Sequence, residues 1–171
     1  ALAYMGFGVF QLHRAESVYA GVIAERGHAA SGVEVKPSLG NNILFRAFYE
    51  HNGDYFADAV RVNWLGDARV YRGSHHPVLD VPEYIATHQL DDLRQGDIAR
   101  FEYFSAGKLG EDPRHPGFVS DFRYAGVPND IAPMWGIDVL GTPAGKHPEW
   151  HHFREFESGD RALFLDMLWG R

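Results

Sequence analysis

The dipeptide Asn52-Gly53 limits the folds open to this chain more than any other feature of its sequence. Asn-Gly between two runs of alternating apolar residues is typical of a two-residue type I′ hairpin, because both turn positions need a positive φ. Counting outward from the turn fixes which residues face each other, and a slip of one residue would exchange the two faces. The pairs predicted on the apolar face are His51 with Asp54, Tyr49 with Phe56, Ala47 with Asp58, Phe45 with Val60 and Ile43 with Val62.

Asp58 is the only acid among the apolar residues of this face beyond the turn. A buried carboxylate must be paired, hydrogen-bonded or neutralised by a raised pKa, so a functional acid is one interpretation. The favoured interpretation is that the face meets solvent there, near one end of the sheet.

Strand patterns bounded by Gly, Pro or Asn continue on both sides of the hairpin, at residues 33–36, 68–72, 118–124 and 134–139. Three helical segments complete the predicted set. A long N-terminal helix ends near Arg26, before Gly27; an inserted segment begins at Asp80 as N-cap; a short last helix begins after Asp160. The predicted fold is a single α+β domain over residues 1–171, with one antiparallel sheet of about five or six strands.

Helical spacing predicts which side of each helix is buried. In the first helix the expected apolar stripe is Leu2, Met5, Val9, Leu12, Tyr19 and Ile23; in the inserted segment it is Leu90, Leu93, Ile98, Phe101 and Phe104; in the last helix it is Leu163, Phe164, Met167 and Leu168.

Composition excludes several classes of function. The 171 residues carry a net charge of −7, which opposes binding to nucleic acid or to anionic lipid. Without cysteine the chain has no disulfide framework, thiolate nucleophile or Cys-built zinc site. Its 14% aromatic content fits a folded domain with an aromatic-rich core.

The first twelve residues are apolar except for Gln11, and the run stops at His13 and Arg14. A bilayer crossing takes about 20 such residues, so this stretch cannot span a membrane alone. Residues 1–12 are read either as the membrane-proximal end of an upstream helix or as an amphipathic helix docked on the domain, and the two readings are compatible.

No specific catalytic constellation is present in the sequence. His147, Glu149, His151 and His152 have partly suitable spacing for a metal, but Pro148 interrupts the segment and a solvated loop is favoured. No serine lies in a nucleophile elbow, and Gly6 and Gly8 lack the rest of a phosphate-binding fingerprint. We therefore expect no catalytic residue, no metal ligand and no cofactor in this chain.

Asp121 and Arg123 lie two residues apart on one strand, where they either neutralise each other or contact a ligand. Polar and stacking groups on several strands are the candidate binding residues: Arg46, Tyr49, Asp121, Arg123 and Trp135. Whether they converge on one pocket is open at this stage.

The order of several short blocks is similar to a known family. The run from Arg14 through residues 24–27, 35–38 and 41–46, with a strand ending near Tyr55, resembles the soluble C-terminal part of the membrane-bound metal-dependent hydrolase family of bacteria. The later blocks FEYFS at 101–105 and VSDFRY at 119–124 resemble the same part.

The resemblance implies an inner-membrane protein whose upstream half holds membrane helices and a divalent metal bound by histidine and aspartate. None of that half lies in this chain, so no catalytic or metal residue is carried over. The implied function is that of a domain in the aqueous phase, on either side of the membrane, that contributes substrate contact or assembly rather than chemistry.

Two alternatives of other classes stand beside this reading. One is a self-contained small-molecule binding module with a pocket between sheet and helices. The other is a homodimerising module that uses the exposed half of the first helix.

Overall fold

The computed structural model describes residues 2–38, 40–64, 66–153 and 159–171. Its elements are α1 Leu2–Arg26, β1 Ser31–Pro37, β2 Leu44–His51, β3 Asp54–Val62, β4 Ala68–Pro77, α2 Val81–His88, α3 Asp92–Phe104, β5 Leu109–Gly110, β6 Phe118–Asp121, β7 Trp135–Asp138, β8 Trp150–His152 and α4 Asp160–Trp169. The α+β class is confirmed.

The strands are divided between two antiparallel sheets of four, in the orders β1-β2-β3-β4 and β5-β6-β7-β8. The sequence predicted one sheet of five or six strands, so the number of sheets differs. The helices α2 and α3 separate β4 from β5 along the chain, and local patterns do not reveal which strands pair at long range. Strands β5 and β8, of two and three residues, are too short to give an alternating pattern.

The described chain forms two compact units. The first unit contains the described residues up to His75, residues 127–131 and α4; the second contains residues 76–126 and 132–153. That residues 1–171 form a single domain stays a prediction.

The predicted hairpin register is confirmed. His51 pairs with Asp54 and the ladder continues through Tyr49 with Phe56 to Phe45 with Val60. Both turn residues have positive φ, 50° at Asn52 and 80° at Gly53, as a type I′ turn requires.

Helix α1 ends where the sequence predicts. Gly27 has a φ of 67°, its N–H donates to the Ala24 carbonyl over 3.0 Å, and the His28 N–H donates to the Ile23 carbonyl over 3.3 Å. This pair of bonds satisfies carbonyls that the last turn would leave without partners.

The predicted stripe of α1 is partly wrong. Tyr19 is buried, and Leu12 and Ile23 pack partly buried against the core, as predicted, whereas the side chain of Leu2 lies outside the part of the chain that the structure describes. The buried residues of this helix are Gln11, Ala15, Tyr19 and Val22, whereas Met5 and Val9 are 64% and 55% exposed. The Gln11 amide donates to the Val62 carbonyl over 3.2 Å at the end of β3. The polar side chain of Gln11 therefore lies on the buried side of α1, a side that apolar periodicity alone does not predict.

Two cores lie in the first unit, one on each face of the β1–β4 sheet. Ala15, Tyr19 and Val22 of α1 pack with the sheet residues Phe45, Ala47, Tyr49, Val60 and Val62. Leu44 and Ala59, which belong to the opposite face, pack with Val127 and with Met167 of α4. The predicted stripe of α4 is partly wrong, because Leu163 is 46% exposed.

The second unit has its own core, built from α2, α3 and the short strands. Both helices begin at aspartate N-caps: Asp80 accepts from the Glu83 N–H over 2.9 Å and Asp91 from the Arg94 N–H over 3.0 Å. Phe104, expected in the stripe of the inserted segment, is half-exposed. The core residues are Tyr84, Leu90, Ile98, Phe101, Leu109, Val119, Ile137 and Val139.

Candidate functional site

Arg46 and Tyr49 lie on opposite faces of β2, because three residues separate them and side chains alternate along a strand. Arg46 is 8% exposed and donates to the Pro128 carbonyl over 3.0 Å. The Tyr49 hydroxyl is within 3.0 Å of Arg26 Nη1 and 2.7 Å of His28 Nδ1. These two candidate binding residues therefore cannot line one pocket, and each contacts its own side of the sheet.

Asp121, Arg123 and Trp135 lie together in the second unit. Arg123 Nη2 is 2.6 Å from Asp121 Oδ2, and the Trp135 indole N–H donates to that same oxygen over 3.1 Å. The Asp121 side chain is fully buried and that of Arg123 is 13% exposed. Of the two interpretations of Asp121 and Arg123, the geometry supports mutual neutralisation.

Aromatic rings surround this ion pair. The Arg123 guanidinium lies 5.4 Å from the ring centroid of Phe104 and 5.3 Å from that of Tyr124. Trp135 packs against Tyr124 with ring centroids 5.4 Å apart. Aromatic faces attract a guanidinium, so these contacts hold Arg123 in place.

Asp58 is buried, at 1% exposure, and the favoured interpretation that its face meets solvent is wrong. Its two oxygens accept from Arg26 over 2.7 and 2.9 Å, from the Tyr19 hydroxyl over 3.0 Å and from the Gly73 N–H over 2.9 Å. These four hydrogen bonds replace those to water that a buried carboxylate loses. The sequence could not indicate this partner, since Arg26 is 32 residues away.

The electrostatics of this network favour structure over chemistry. Burial raises the pKa of Tyr19, and the neighbouring Asp58 charge raises it further. The hydrogen bonds from Arg26 to Asp58 raise the pKa of Arg26. Both groups therefore keep their protons at neutral pH, and neither can serve as a general base.

The second unit contains an open pocket of about 540 Å³, a volume within the range of small-molecule sites. Its walls come from the end of β4, the turn before α2, α2 itself and the segment around Glu111. The lining residues are His76, Pro77, Val78, Leu79, Asp80, Glu83, Tyr84, Thr87, His88, Glu111 and Pro113.

Tyr84 lines this pocket, although the sequence did not indicate it as a candidate. It is only 5% exposed, and its hydroxyl has no hydrogen-bond partner within the part of the chain that the structure describes. Burial raises the pKa of Tyr84, and the negative charges of Glu111 and Asp138 raise it further. The hydroxyl is therefore neutral, and it lies within electrostatic range of Glu111 in the pocket wall.

None of the five predicted binding residues lines this pocket. In the sequence, Asp80 and Glu83 were interpreted only as helix-capping residues, and Tyr84 and Glu111 were not among the candidates. The acidic residues at the start of α2 are the one sequence feature that could indicate the pocket, but many helix N-termini carry acidic residues.

The histidine segment at 147–152 is divided between a loop and a strand: residues 147–149 lie outside any helix or strand, as favoured, whereas β8 begins at Trp150. Trp150, His151 and His152 make up β8, and His147 Nδ1 lies 2.8 Å from Asp97 Oδ2. Among residues 2–38, 40–64, 66–153 and 159–171, no group of three or more His, Asp or Glu side chains is arranged to hold a metal ion.

The N-terminal part of α1 exposes a set of large apolar side chains. Tyr4, Met5, Val9 and Phe10 are between 55% and 65% exposed, and Phe7 packs edge-on against Trp64, which is itself 66% exposed. At about 100° per residue these side chains point to different sides of the helix and so surround its first turns, and we call this set the α1 apolar cluster. None of the described helices carries an apolar stretch sufficient to traverse a lipid bilayer.

Comparison with known proteins gives no match: neither a family model, nor a curated protein, nor a solved structure is similar to this chain at a significant level. No family is assigned, and the resemblance to the membrane-bound metal-dependent hydrolases stays a prediction.

Proposed function

We propose that this chain is a membrane-associated domain of a bacterial membrane-bound metal-dependent hydrolase, and that it contributes substrate contact or assembly rather than catalysis. The observation that carries the proposal is the α1 apolar cluster, in which four large apolar side chains lie more than half exposed within seven residues.

The composition of the α1 apolar cluster supports contact with a membrane surface. Residues 1–12 contain no charged side chain, and the cluster combines Tyr, Trp and Phe with aliphatic residues. Aromatic side chains of this kind are enriched at the boundary between lipid and water. Contiguous exposed apolar patches on soluble proteins commonly mark interaction sites.

The other half of α1 is firmly attached to the domain, which supports a role for the helix as a connection. Arg14 Nη1 donates to the Asn63 carbonyl over 2.6 Å and its Nη2 to the Gly66 carbonyl over 2.6 Å. Arg26 binds Asp58 at the other end of this attached segment. A membrane contact made by the first turns would thus be transmitted to the sheet through a helix fixed at two points.

Vesicle flotation tests the membrane contact. Because the chain carries a net charge of −7, the vesicles are made of zwitterionic phosphatidylcholine, which avoids repulsion by anionic lipid. We expect the wild-type chain to float with the vesicles and the double variant Met5→Glu, Val9→Glu to lose at least about tenfold in affinity, since burial of each apolar side chain is worth about 1.5–3 kcal/mol.

Tyr103→Glu is the matched control, because Tyr103 is 91% exposed and lies on α3. This variant is expected to float like the wild type. Equal flotation of the wild type and the double variant would contradict the membrane contact. Light scattering at two protein concentrations shows whether the α1 apolar cluster instead joins two copies of the chain.

The hydrolase context and the lack of catalysis have separate tests. Several apolar segments of about 20 residues encoded immediately before Ala1 would support the membrane-bound parent. Turnover of generic ester or phosphoester substrates by this chain, with Zn²⁺ or Mn²⁺ added, would refute the non-catalytic role.

A second candidate function is small-molecule binding, which the pocket beside α2 favours. Its volume lies within the range of small-molecule sites, and its walls combine apolar and polar residues. A screen of small organic probes by NMR is expected to shift resonances of the pocket residues, and a screen in which no probe does so would count against this function.

A further inference from the structure

Strand β1 forms one edge of the β1–β4 sheet, and among the described strands it pairs with β2 alone. The Ser38 N–H, just beyond β1, donates to the Leu44 carbonyl of β2 over 2.9 Å. Backbone groups alternate in direction along a strand, so those of Lys36 and Glu34 also face β2. The N–H and C=O of Val35 therefore face the open edge, where a further strand can pair with them.

The sequence around Val35 is complementary to itself. Glu34 and Lys36 flank this residue and carry opposite charges. When the β1 strands of two copies are placed antiparallel with Val35 opposite Val35, each Glu34 lies directly opposite a Lys36, and the two Val35 residues exchange both of their backbone hydrogen bonds.

The same charges disfavour the neighbouring registers. Sliding one strand by two residues places Glu34 opposite Glu34 or Lys36 opposite Lys36, and like charges directly opposite each other are destabilising. A slide by one residue sets outward-facing backbone groups against groups that face β2, so the hydrogen bonds are lost. The pattern therefore selects the register centred on Val35.

The surroundings of Lys36 favour an additional carboxylate. Its ammonium pairs with Glu34 within the strand, and the side chains of Lys36 and Glu34 remain 42% and 32% exposed. Arg46 of β2 lies directly opposite Lys36 and carries the same charge. Glu34 of a second copy would lie on the other side of Lys36, so that a carboxylate offsets the repulsion between two neighbouring cations.

The other face of β1 is largely apolar. Val33 and Val35 help to line a pocket of about 530 Å³ together with Ala20 and Ile23 of α1, and Val33 is 49% exposed. Because directly opposite residues of paired strands lie on the same face, a second copy would place its own Val35 beside this pocket. Pairing would thus bury apolar surface on one face and join opposite charges on the other.

The two ends of β1 limit how far such pairing extends. The register shifts between Ser31 and Glu34, where a bulge interrupts the ladder, and Pro37 has no N–H to donate. A short seam bounded in this way closes as a twofold pair. We propose that two copies of this chain pair antiparallel through β1 about Val35, and so join two four-stranded sheets into one of eight strands. The pairing depends on neither proposed function.

Disulfide trapping tests the register, since the chain has no cysteine of its own. In the proposed pair the Cα atoms of the two Val35 residues lie about 5.5 Å apart, within the range that a disulfide spans. Val35→Cys is therefore expected to form a covalent dimer under mild oxidation at least about tenfold faster than Val33→Cys.

Val33 is the matched control for trapping, because it is more exposed than Val35 but lies about 13 Å along the seam from its counterpart in the other copy. Random collisions would favour the more exposed cysteine. A covalent dimer that forms as fast in Val33→Cys as in Val35→Cys, or in neither variant, would refute the proposed register.

Charge exchange tests the pairing without a cross-link. Sedimentation equilibrium measures the dimer at up to roughly 1 mM chain, because a seam this short gives a weak complex. Glu34→Lys and Lys36→Glu each place like charges opposite each other in both halves of the seam, and each is expected to weaken the dimer about fivefold or more. A mixture of the two variants restores opposite charges across the seam and should dimerise as tightly as the wild type. An effect confined to the ion pair within each chain would not recover on mixing.

Glu25→Lys is the matched control, because Glu25 lies on α1, pairs with Arg72 of β4 and changes the net charge by the same amount as Glu34→Lys. It should dimerise like the wild type. So should the double variant Met5→Glu, Val9→Glu, and loss of the dimer in that variant would assign the association to the α1 apolar cluster instead. A wild-type chain that stays monomeric throughout, or a mixture as weak as its two components, would also overturn the proposal.

Discussion

The guanidinium of Arg26 donates to both carboxylate oxygens of Asp58, over 2.7 and 2.9 Å, and so joins the last turn of α1 to the middle of β3. The Asp58 side chain is 1% exposed and that of Arg26 is 14% exposed. An ion pair removed from water in this way is costly to break on one side only, because the remaining charge is left without compensation.

Replacement of Asp58 is the first prediction. Asp58→Ala leaves Arg26, the Tyr19 hydroxyl and the Gly73 N–H without their acceptor. We expect the free energy of unfolding to fall by about 3–5 kcal/mol, measured by urea denaturation. The exposed Asp67, substituted in the same way, should change it by less than about 0.5 kcal/mol. A loss at Asp58 no larger than the loss at Asp67 would show that the pair does not stabilise the fold.

Gly73 provides the second prediction, because β4 has no room for a side chain there. An added Cβ would lie 1.8 Å from the Asn129 carbonyl oxygen and 2.3 Å from that of Ala57, and both are backbone atoms. Gly73→Ala should therefore destabilise the protein by about 3 kcal/mol.

The matched control for Gly73 is Gly21→Ala in α1, where a Cβ meets no atom within 4 Å. This change should stabilise the protein by about 0.5–1 kcal/mol, because alanine loses less backbone entropy than glycine in a helix. Thermal unfolding of both variants should thus give shifts of opposite sign, and shifts of the same sign would contradict the packing around Gly73.

The third prediction concerns His28, which stacks on His51 with ring centroids 4.0 Å apart. Burial lowers the pKa of His28, and the nearby charges of His51 and Arg26 lower it further. The unfolded chain, whose histidines titrate at about pH 6.5, therefore binds this proton more readily than the folded chain. The contribution of His28 to the free energy of unfolding is complete above about pH 6.5. It is lost as the pH falls from there toward the lower pKa that His28 has in the folded chain.

An NMR titration of the histidine rings checks this prediction. His51→Gln removes one of the charges and should raise the pKa of His28 toward its ordinary value. An unchanged His28 titration in this variant would mean that the stacked partner has no electrostatic effect.

Asp112 gives the fourth prediction, with the opposite sign. Burial by itself would raise the pKa of Asp112, but hydrogen bonds from Arg114 and His115, the shortest 2.8 Å long, outweigh it and hold the pKa below the usual range. The stability that Asp112 contributes is present above the unfolded pKa of about 3.9 and is lost as the pH falls through the lower folded value.

Urea unfolding of the wild type and Asp112→Asn between neutral and strongly acid pH measures this loss. The difference in unfolding free energy between the two proteins should shrink as the pH falls below about 4. A constant difference over that range would contradict this role of Asp112. In Arg114→Gln, the pH at which the difference begins to shrink should be higher.

The elements that local chemistry specifies were predictable. Asn52 and Gly53 fix a turn whose geometry sets the register of a whole hairpin, and Gly27 and Asp80 end and begin helices by hydrogen bonds that stay within a few residues. Patterns of this kind are legible because every interaction they need lies close by in the chain.

The candidate binding residues depend on contacts that local sequence patterns do not reveal. Asp121 and Arg123 could be paired from their spacing alone, but the indole of Trp135, which completes the group, comes from another strand. Arg46 and Tyr49 belong to opposite faces of one strand, and their partners at residues 128 and 26 are remote in sequence.

The sequence by itself determined the α+β class, the hairpin register, the end of α1 and the start of α2, because turn geometry, capping and periodicity act over neighbouring residues. The tertiary structure alone decided that Asp58 meets Arg26, that Gln11 occupies the buried side of α1, and that Tyr84 and Glu111 share a pocket wall. Those relationships depend on which distant segments pack together, and packing is set by the combined burial of many side chains rather than by any local pattern.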